Sequence, residues 1–309
     1  MKLKKPKFWD DKKISPYSLF LLPFTLLFKS LNYFRNSVAK RQKFSIPVIC
    51  VGNIYLGGTG KTPLCSELFH ILKNLNKKPV FIRKKYKSFQ DEINLLKQAG
   101  PLYESSRRID ALNKAIQNKF DVAILDDGFQ DFSLKKDLSI VCFNEKQWIG
   151  NGFVIPSGPL REDLSALARA NYVVINGKKN ISIENKILKN NKLIKIFYTK
   201  YKPQNIIEFK NKKIICFAGI GNPDNFFDLL KENHINILEQ ISFPDHYTYS
   251  KIELDNLIEK AKNSNSELLT TEKDYLRIDE EYKKRIGCLK IKIDIENKDK
   301  FIEEIKKII

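Results

Sequence analysis

At 309 residues the chain exceeds the usual single hydrophobic core, and with 42% hydrophobic residues it can bury sheets in two domains. Its 55 Lys and Arg against 36 Asp and Glu leave a formal charge of +19. That fits an anionic partner (a phospholipid surface, nucleic acid or a phosphorylated substrate), and equally a general drift toward Lys, Asn and Ile along the whole chain. The five cysteines are scattered in apolar runs with no metal-type pairing, as in a reducing compartment, and the basic residues lack the interleaved aromatics of single-strand nucleic-acid readers.

The chain opens on a basic stretch, Met1 to Lys13, and continues into an apolar run from Ile14 to Phe28 broken by Pro16 and Pro23. A bilayer span needs ~20 apolar residues, more than this run supplies. Lys29, Arg35, Lys40, Arg41 and Lys43 follow, so cations flank the run on both sides, as expected of a segment lying in an anionic membrane interface. A signal peptide would need a small-residue cleavage site, which does not follow. A plain buried helix is the competing reading, although nearly every position of Leu19 to Phe28 is apolar.

Val48-Ile49-Cys50-Val51 then reads as a buried strand running into Gly57-Gly58-Thr59-Gly60-Lys61-Thr62. Gly57, Gly58 and Gly60 lack a Cβ, so the backbone can take positive φ and turn its N–H groups onto a polyphosphate at the positive end of the next helix. In such a phosphate-binding loop Lys61 bridges the terminal phosphates and the Thr62 hydroxyl ligates magnesium. Tyr55 stands where the pattern has its first glycine. Leu64, Leu68 and Leu72 give the following helix its period, and a simple glycine turn is the plainer alternative.

A strand at Pro79 to Ile82 leads through the basic Arg83-Lys84-Lys85-Tyr86-Lys87 to Gln90-Asp91-Glu92, which opens a helix. Two carboxylates in a first turn either complement the helix dipole or face a nucleotide. Phe120 to Gln130 contains a hydrophobic strand ending in Asp126-Asp127-Gly128, the arrangement that delivers a carboxylate to phosphate-bound magnesium; in isolation it reads equally as a turn. With further strands at Leu138 to Phe143 and Tyr172 to Ile175, the fold class is α/β: a P-loop NTPase-like, mostly parallel sheet covered by helices. The Arg161-Glu162 pair after Ile155-Pro156-Ser157-Gly158-Pro159-Leu160 has the form of a surface ion pair.

From Ile181 to Lys213 the sequence turns polar, which puts a junction near Gln204 and a second, smaller α/β domain beyond it. The expected division is 1–35 for the membrane-associating segment, 36–204 for the P-loop domain and 205–309 for the smaller domain. The latter has strands at Lys213 to Ala218, Glu267 to Thr270 and Cys288 to Ile295, and a final amphipathic helix with Phe301 and Ile305. His246, in Phe243-Pro244-Asp245-His246, has no partner at ligand spacing, so on spacing alone it is a hydrogen-bonded structural histidine.

Taken together, these segments resemble the tetraacyldisaccharide 4'-kinase family, membrane-associated kinases of lipid A biosynthesis. The resemblance rests on Val51-Gly52-Asn53 leading to Gly57 through Pro63, on Asp126 to Gln130, on Pro156 to Leu164, on Ala218 to Pro223, on Phe243 to His246 and on Thr271-Glu272-Lys273-Asp274. It implies ATP bound by Gly57, Gly58, Thr59, Gly60, Lys61 and Thr62, and Mg2+ held by Thr62, Asp126, Asp127 and Glu92. It also implies Asp91 as general base paired with His246, Asp127 and Lys61 among the catalytic groups, and Arg108, Gln130, Arg161 and Glu162 in the site. The implied partners are the lipid A disaccharide precursor and the anionic surface on the cytoplasmic face of the bacterial inner membrane, with no nucleic acid and no obligate protein partner. The two domains would close around ATP and the sugar. This chain departs from the family at Gln90, where Gly is usual, at Asp131, where His is usual, and between Tyr86 and Asp91, where a longer insertion is nearly absent. A membrane-associated ATPase of the assembly-switch type is the alternative; its signature lysine before the paired glycines is Leu56 here.

Overall fold

The computed structural model describes residues 5–11, 13–85 and 90–309. The expectations for Met1 to Lys4 and for the short stretch Tyr86 to Phe89 lie outside the described residues. After a single turn at Lys7–Trp9 come α1 (Pro16–Phe20), α2 (Leu22–Ser37), β1 (Val48–Gly52), α3 (Lys61–Asn74), β2 (Pro79–Lys84), α4 (Gln90–Ala99), β3 (Leu102–Ser105), α5 (Arg108–Gln117), β4 (Val122–Asp126), β5 (Leu138–Asn144) and β6 (Tyr172–Asn176). The chain continues with α6 (Ile181–Asn190), β7 (Lys195–Pro203), β8 (Lys213–Ala218), α7 (Pro223–Glu232), β9 (Asn236–Ser242), α8 (Lys251–Asn263), β10 (Glu267–Thr271), α9 (Glu272–Tyr275), α10 (Glu280–Lys283), β11 (Ile286–Leu289), β12 (Ile291–Ile295) and α11 (Lys298–Lys306).

Two compact units result, one of Met1–Tyr86, Leu96–Lys200 and Asp294–Ile309, the other of Lys87–Leu95 and Tyr201–Ile293. The first is built on an eight-stranded sheet in the order β12-β7-β6-β5-β1-β4-β2-β3, parallel from β7 through β3. Every residue of β1, β4, β5 and β6 is buried, which requires cover on both faces and explains their unbroken apolar sequences. On α3, Leu64, Leu68 and Leu72 are all fully buried, and Phe69 stacks on Phe81 of β2 at 4.9 Å between centroids. Because β1 and β4 are parallel neighbours with Val51 opposite Asp126, the glycine loop and the acidic turn leave the sheet at the same end.

The second unit has its own parallel sheet, in the order β11-β10-β8-β9. Its parallel strands likewise send the segments after β8, β9 and β10 out of one end, and those segments contain Gly219, His246 and Asp274.

The unit boundaries differ from the expected 36–204 and 205–309. The last segment belongs to the first unit because Phe301 of α11 is fully buried there, edge-on to Phe197 of β7 at 5.0 Å. The stretch before Leu96, with Asp91 and Glu92, belongs to the second unit. The polar region 181–213 holds regular structure. α6 starts at Asn180, whose side chain accepts from the Ile183 N–H, and turns Ile183 and Ile187 inward, while β7 buries Phe197, Tyr198 and Thr199. The single strand expected over Cys288 to Ile295 is two, β11 and β12, in different sheets. The break falls at Lys290, whose carbonyl accepts from the Gln204 N–H and whose own N–H donates to the Asn205 side chain.

α1 and α2 are inside out. Thr25 of α2 is buried, its hydroxyl donating to the Val154 carbonyl at 3.0 Å and lying 2.8 Å from the Ser157 hydroxyl, whereas Phe20, Phe24, Leu26, Leu27, Leu31 and Phe34 are exposed. The buried-helix alternative therefore does not hold.

Candidate active site

In the first unit, Gly57 and Gly60 adopt φ of 149° and 87°, while Gly58 does not need the positive φ expected of it. Gly60 is the N-cap of α3, which places Lys61 and Thr62 in its first turn. The loop is braced from beneath by Asn53, which is fully buried and donates to the Thr59 hydroxyl at 3.0 Å and to the Gly57 carbonyl at 3.3 Å.

Asp126 and Asp127 end β4 with different partners. Asp126 is buried and meets Arg83 of β2 at 2.9 Å, since Ile82 lies opposite Leu125 and the next residue of each strand brings the two charges together. Asp127 takes the left-handed backbone, φ 52°, and accepts from Arg161 at 2.8 and 3.0 Å with Lys61 at 3.7 Å. Burial would push the Asp127 carboxyl up, but Lys61 and Arg161 outweigh it and hold it below the ordinary carboxylate range. Replacing Arg83 with Met removes a counter-charge from a buried carboxylate, and we expect a loss of about 3–5 kcal/mol in unfolding free energy, read by urea denaturation. A loss within the range of about 0–1 kcal/mol typical of surface pairs would contradict this role for Arg83.

Arg108 is buried and spends its guanidinium on the main chain, donating to the carbonyls of Asp127 at 2.8 Å and Asp126 at 3.3 Å, and pairing with Asp131 at 3.0 Å. It shapes the acidic turn from behind, and the unusual Asp131 is its counter-charge. Gln130 donates to the Asn53 carbonyl at 2.8 Å and to Glu162 at 3.1 Å, and Glu162 is gripped by Arg169 at 2.8 and 2.9 Å. The Arg161 N–H donates to the Ile54 carbonyl at 2.7 Å, so Arg161 and Glu162 are tied to the phosphate loop and do not form a surface pair with each other.

In the second unit Asp91 is 2% exposed, with His246 Nδ1 at 3.3 Å from one oxygen and Arg277 at 2.9 Å from the other. Burial would raise its carboxyl, but the hydrogen bond from His246 and the charges of Arg277 and Lys273 prevail and bring it down to about 2. Arg277 also holds Asp274 at 3.1 Å and the Gly219 carbonyl at 2.9 Å; Asp274 in turn accepts from the Gly219 N–H at 3.0 Å and the Tyr249 hydroxyl at 2.7 Å. His246, with φ 55°, is fixed by its N–H to the same Gly219 carbonyl at 3.0 Å. Glu92 pairs with Lys273 at 2.6 Å. No sequence pattern assigns Arg277 or Lys273 to the site; the local signal is Thr271-Glu272-Lys273-Asp274, charge-rich directly after an apolar strand.

Among the described residues no group of three or more His, Cys, Asp and Glu is arranged to hold a metal ion alone. The donors Thr62, Asp126 and Asp127 nonetheless fit magnesium, which takes one or two protein carboxylates and leaves other positions to phosphates and water.

A family model described as tetraacyldisaccharide-1-P 4'-kinase matches residues 17–309. A tetraacyldisaccharide 4'-kinase of Pelagibacter ubique is 44% identical, covering 100% of this chain and 99% of its own. The protein of the same name from Rickettsia akari is 35% identical over 99% and 98% of the two chains. The crystal structure of LpxK from Aquifex aeolicus in complex with ATP matches with a TM-score of 0.73 at 27% identity, covering 94% of this chain and 99% of that one.

Proposed function

The chain belongs to the tetraacyldisaccharide-1-phosphate 4'-kinase family, and from that premise we propose that it transfers the γ-phosphoryl group of ATP to the 4'-hydroxyl of a tetraacylated disaccharide 1-phosphate. The observation that supports this most is the phosphate loop ending in Lys61 and Thr62 beside Asp127, with Arg161 on the same carboxylate. The relatives matched over their full length carry kinase names, which does not favour the switch-ATPase alternative.

In phosphoryl transfer the transition state is loose, so positioning and charge neutralisation do most of the catalysis. Backbone N–H groups from Gly57 to Lys61 cradle the phosphates at the start of α3, Lys61 follows the terminal phosphates, and Arg161 supplies a second cation. Thr62, Asp126 and Asp127 are the candidate magnesium ligands, and an ion held there would offset charge on the phosphate oxygens. Asp91 receives the hydroxyl proton as the sugar oxygen bonds to phosphorus and the bond to ADP breaks. A carboxylate held near 2 is ionised at neutral pH and too weak a base to strip the hydroxyl beforehand, so it orients the O–H first and takes the proton late. His246 and Arg277 fix its two oxygens. Gln130 and Glu162 position the loop that contains Arg161, and Arg108 the acidic turn.

No helix among the described residues is long and apolar enough to cross a membrane. The exposed apolar side chains of α1 and α2, with basic residues on either side, suit adsorption onto an anionic bilayer such as the cytoplasmic face of the inner membrane. Leu26→Asp combined with Leu31→Asp is expected to cut co-flotation with phosphatidylglycerol vesicles several-fold while leaving the melting temperature unchanged. Undiminished flotation would contradict the surface assigned.

The function is tested with γ-labelled ATP and tetraacyl disaccharide 1-phosphate in mixed micelles. Label is expected in the lipid fraction; label released only as inorganic phosphate, whatever the acceptor, would point to an ATPase.

A further inference from the structure

Tyr55 occupies the position at which the phosphate-loop pattern has glycine, and it is fully buried. Its ring packs with Val154 and Leu160 in a cluster that Phe28 of α2 joins. Its hydroxyl donates to Asp10 at 2.6 Å, and Lys5 contacts both the hydroxyl and Asp10. The stretch that precedes the exposed apolar helices is thus hydrogen-bonded to the phosphate loop itself.

A second line of bonds runs parallel to the first. Thr25 of α2 holds Val154 and Ser157, the Leu56 N–H donates to the Pro159 carbonyl at 2.8 Å, and two residues further on Arg161 grips Asp127. Trp9 adds a third tie, its indole N–H donating to the Pro156 carbonyl at 3.0 Å. A buried hydroxyl paired with a carboxylate has its strength only while both partners stay in register, so displacement of the N-terminal segment is felt at Tyr55.

We propose that Tyr55 is a positioning residue through which the N-terminal segment sets the geometry of the phosphate loop, so that adsorption of α1 and α2 onto an anionic bilayer and binding of MgATP reinforce each other. The proposal rests on the kinase and membrane reading above. A bilayer that immobilises α1 and α2 narrows the positions open to Asp10 and to the 154–161 loop, favouring the loop arrangement that cradles phosphate. By linkage, nucleotide must then strengthen adsorption by the same factor.

The test measures affinity for a fluorescent ATP analogue with Mg2+, on the full chain, with and without vesicles of phosphatidylglycerol and phosphatidylethanolamine, for the parent and for Tyr55→Phe and Asp10→Asn. The parent is expected to bind at least about 5-fold more tightly on vesicles, the lower end of ordinary coupling. In Tyr55→Phe, which keeps the ring and loses the hydroxyl, the enhancement should fall below 2-fold, and the loss should appear in the KM for ATP and not in kcat. Asp10→Asn, which can still accept the bond, should retain part of the enhancement. A parent that floats with vesicles and binds nucleotide equally well in both conditions overturns this inference alone, as does full enhancement in Tyr55→Phe. A parent that does not float overturns the membrane reading and the inference together.

Discussion

Lys61→Ala is expected to lower phosphoryl transfer by at least about 10²–10³-fold, the usual cost of removing one preorganised charge from a developing transition state. Lys61 is the first residue of α3, fixed there by the left-handed turn at Gly60, so its ammonium is delivered to the phosphate end of the loop by the backbone itself. Arg161 stays on Asp127 at 2.8 Å when Lys61 is shortened, which leaves the acidic turn with a counter-charge and the fold intact. Loss of activity should therefore come without a fall in melting temperature. Lys61→Arg should not restore it, because a planar fork does not fit where a compact ammonium is required. Activity within about tenfold of the parent in Lys61→Ala, a barrier change of roughly 1.4 kcal/mol, would be too small for this role.

Asp91→Asn should reduce kcat by about 10²–10⁴-fold, the range for loss of a general base, while MgATP affinity changes little. The amide keeps the shape of the carboxylate and can still accept one bond from Arg277, which retains Asp274 at 3.1 Å and the Gly219 carbonyl at 2.9 Å. The variant thus loses the proton acceptor without leaving a buried guanidinium stripped of partners. His246→Ala should cost less than Asp91→Asn, since Arg277 alone still orients one carboxylate oxygen. A full-rate Asp91→Asn enzyme would remove the base from the mechanism. A raised KM for ATP with kcat unchanged would assign Asp91 to nucleotide binding instead.

The parts of this molecule that were legible in its sequence are those in which local pattern and global role coincide. A short apolar run such as Val48 to Val51 followed directly by glycines reads as a strand buried on both faces that ends in a turn, and the Lys61-Thr62 pair with the Leu64, Leu68, Leu72 period after it points to the phosphate loop and its helix. The strand ending in Asp126 and Asp127 is of the same kind. By contrast, α6 and β7 hide in a polar stretch because each buries only a few residues: Ile183 and Ile187 on one, Phe197 to Thr199 on the other. The break at Lys290 is set by bonds to Gln204 and Asn205, partners more than eighty residues away that no window along the chain contains.

The same division runs through the site. Asp91 and His246 read locally as a helix-dipole carboxylate and a structural histidine, and only the family resemblance pairs them; in the folded second unit they are 3.3 Å apart, His246 coming from the segment after β9 and Asp91 from the first turn of α4. Arg277 binds both Asp91 and Asp274, a relation that depends on a burial no composition reports. Arg161 and Glu162, an unremarkable charged pair in the sequence, turn away from each other toward Asp127 and Arg169. Tyr55 was visible as an anomaly in the glycine pattern, but its link to Asp10 was not, since the two lie in different segments joined only by folding.

The central claim is most directly tested by mass spectrometry of the lipid after incubation with MgATP, using tetraacyl disaccharide 1-phosphate as acceptor and Lys61→Ala protein alongside. The account predicts one added phosphate, located by fragmentation on the sugar ring that does not bear the 1-phosphate, and none with the variant. An unchanged lipid mass in the presence of bound ATP, or a phosphate that still appears with Lys61→Ala, would contradict it.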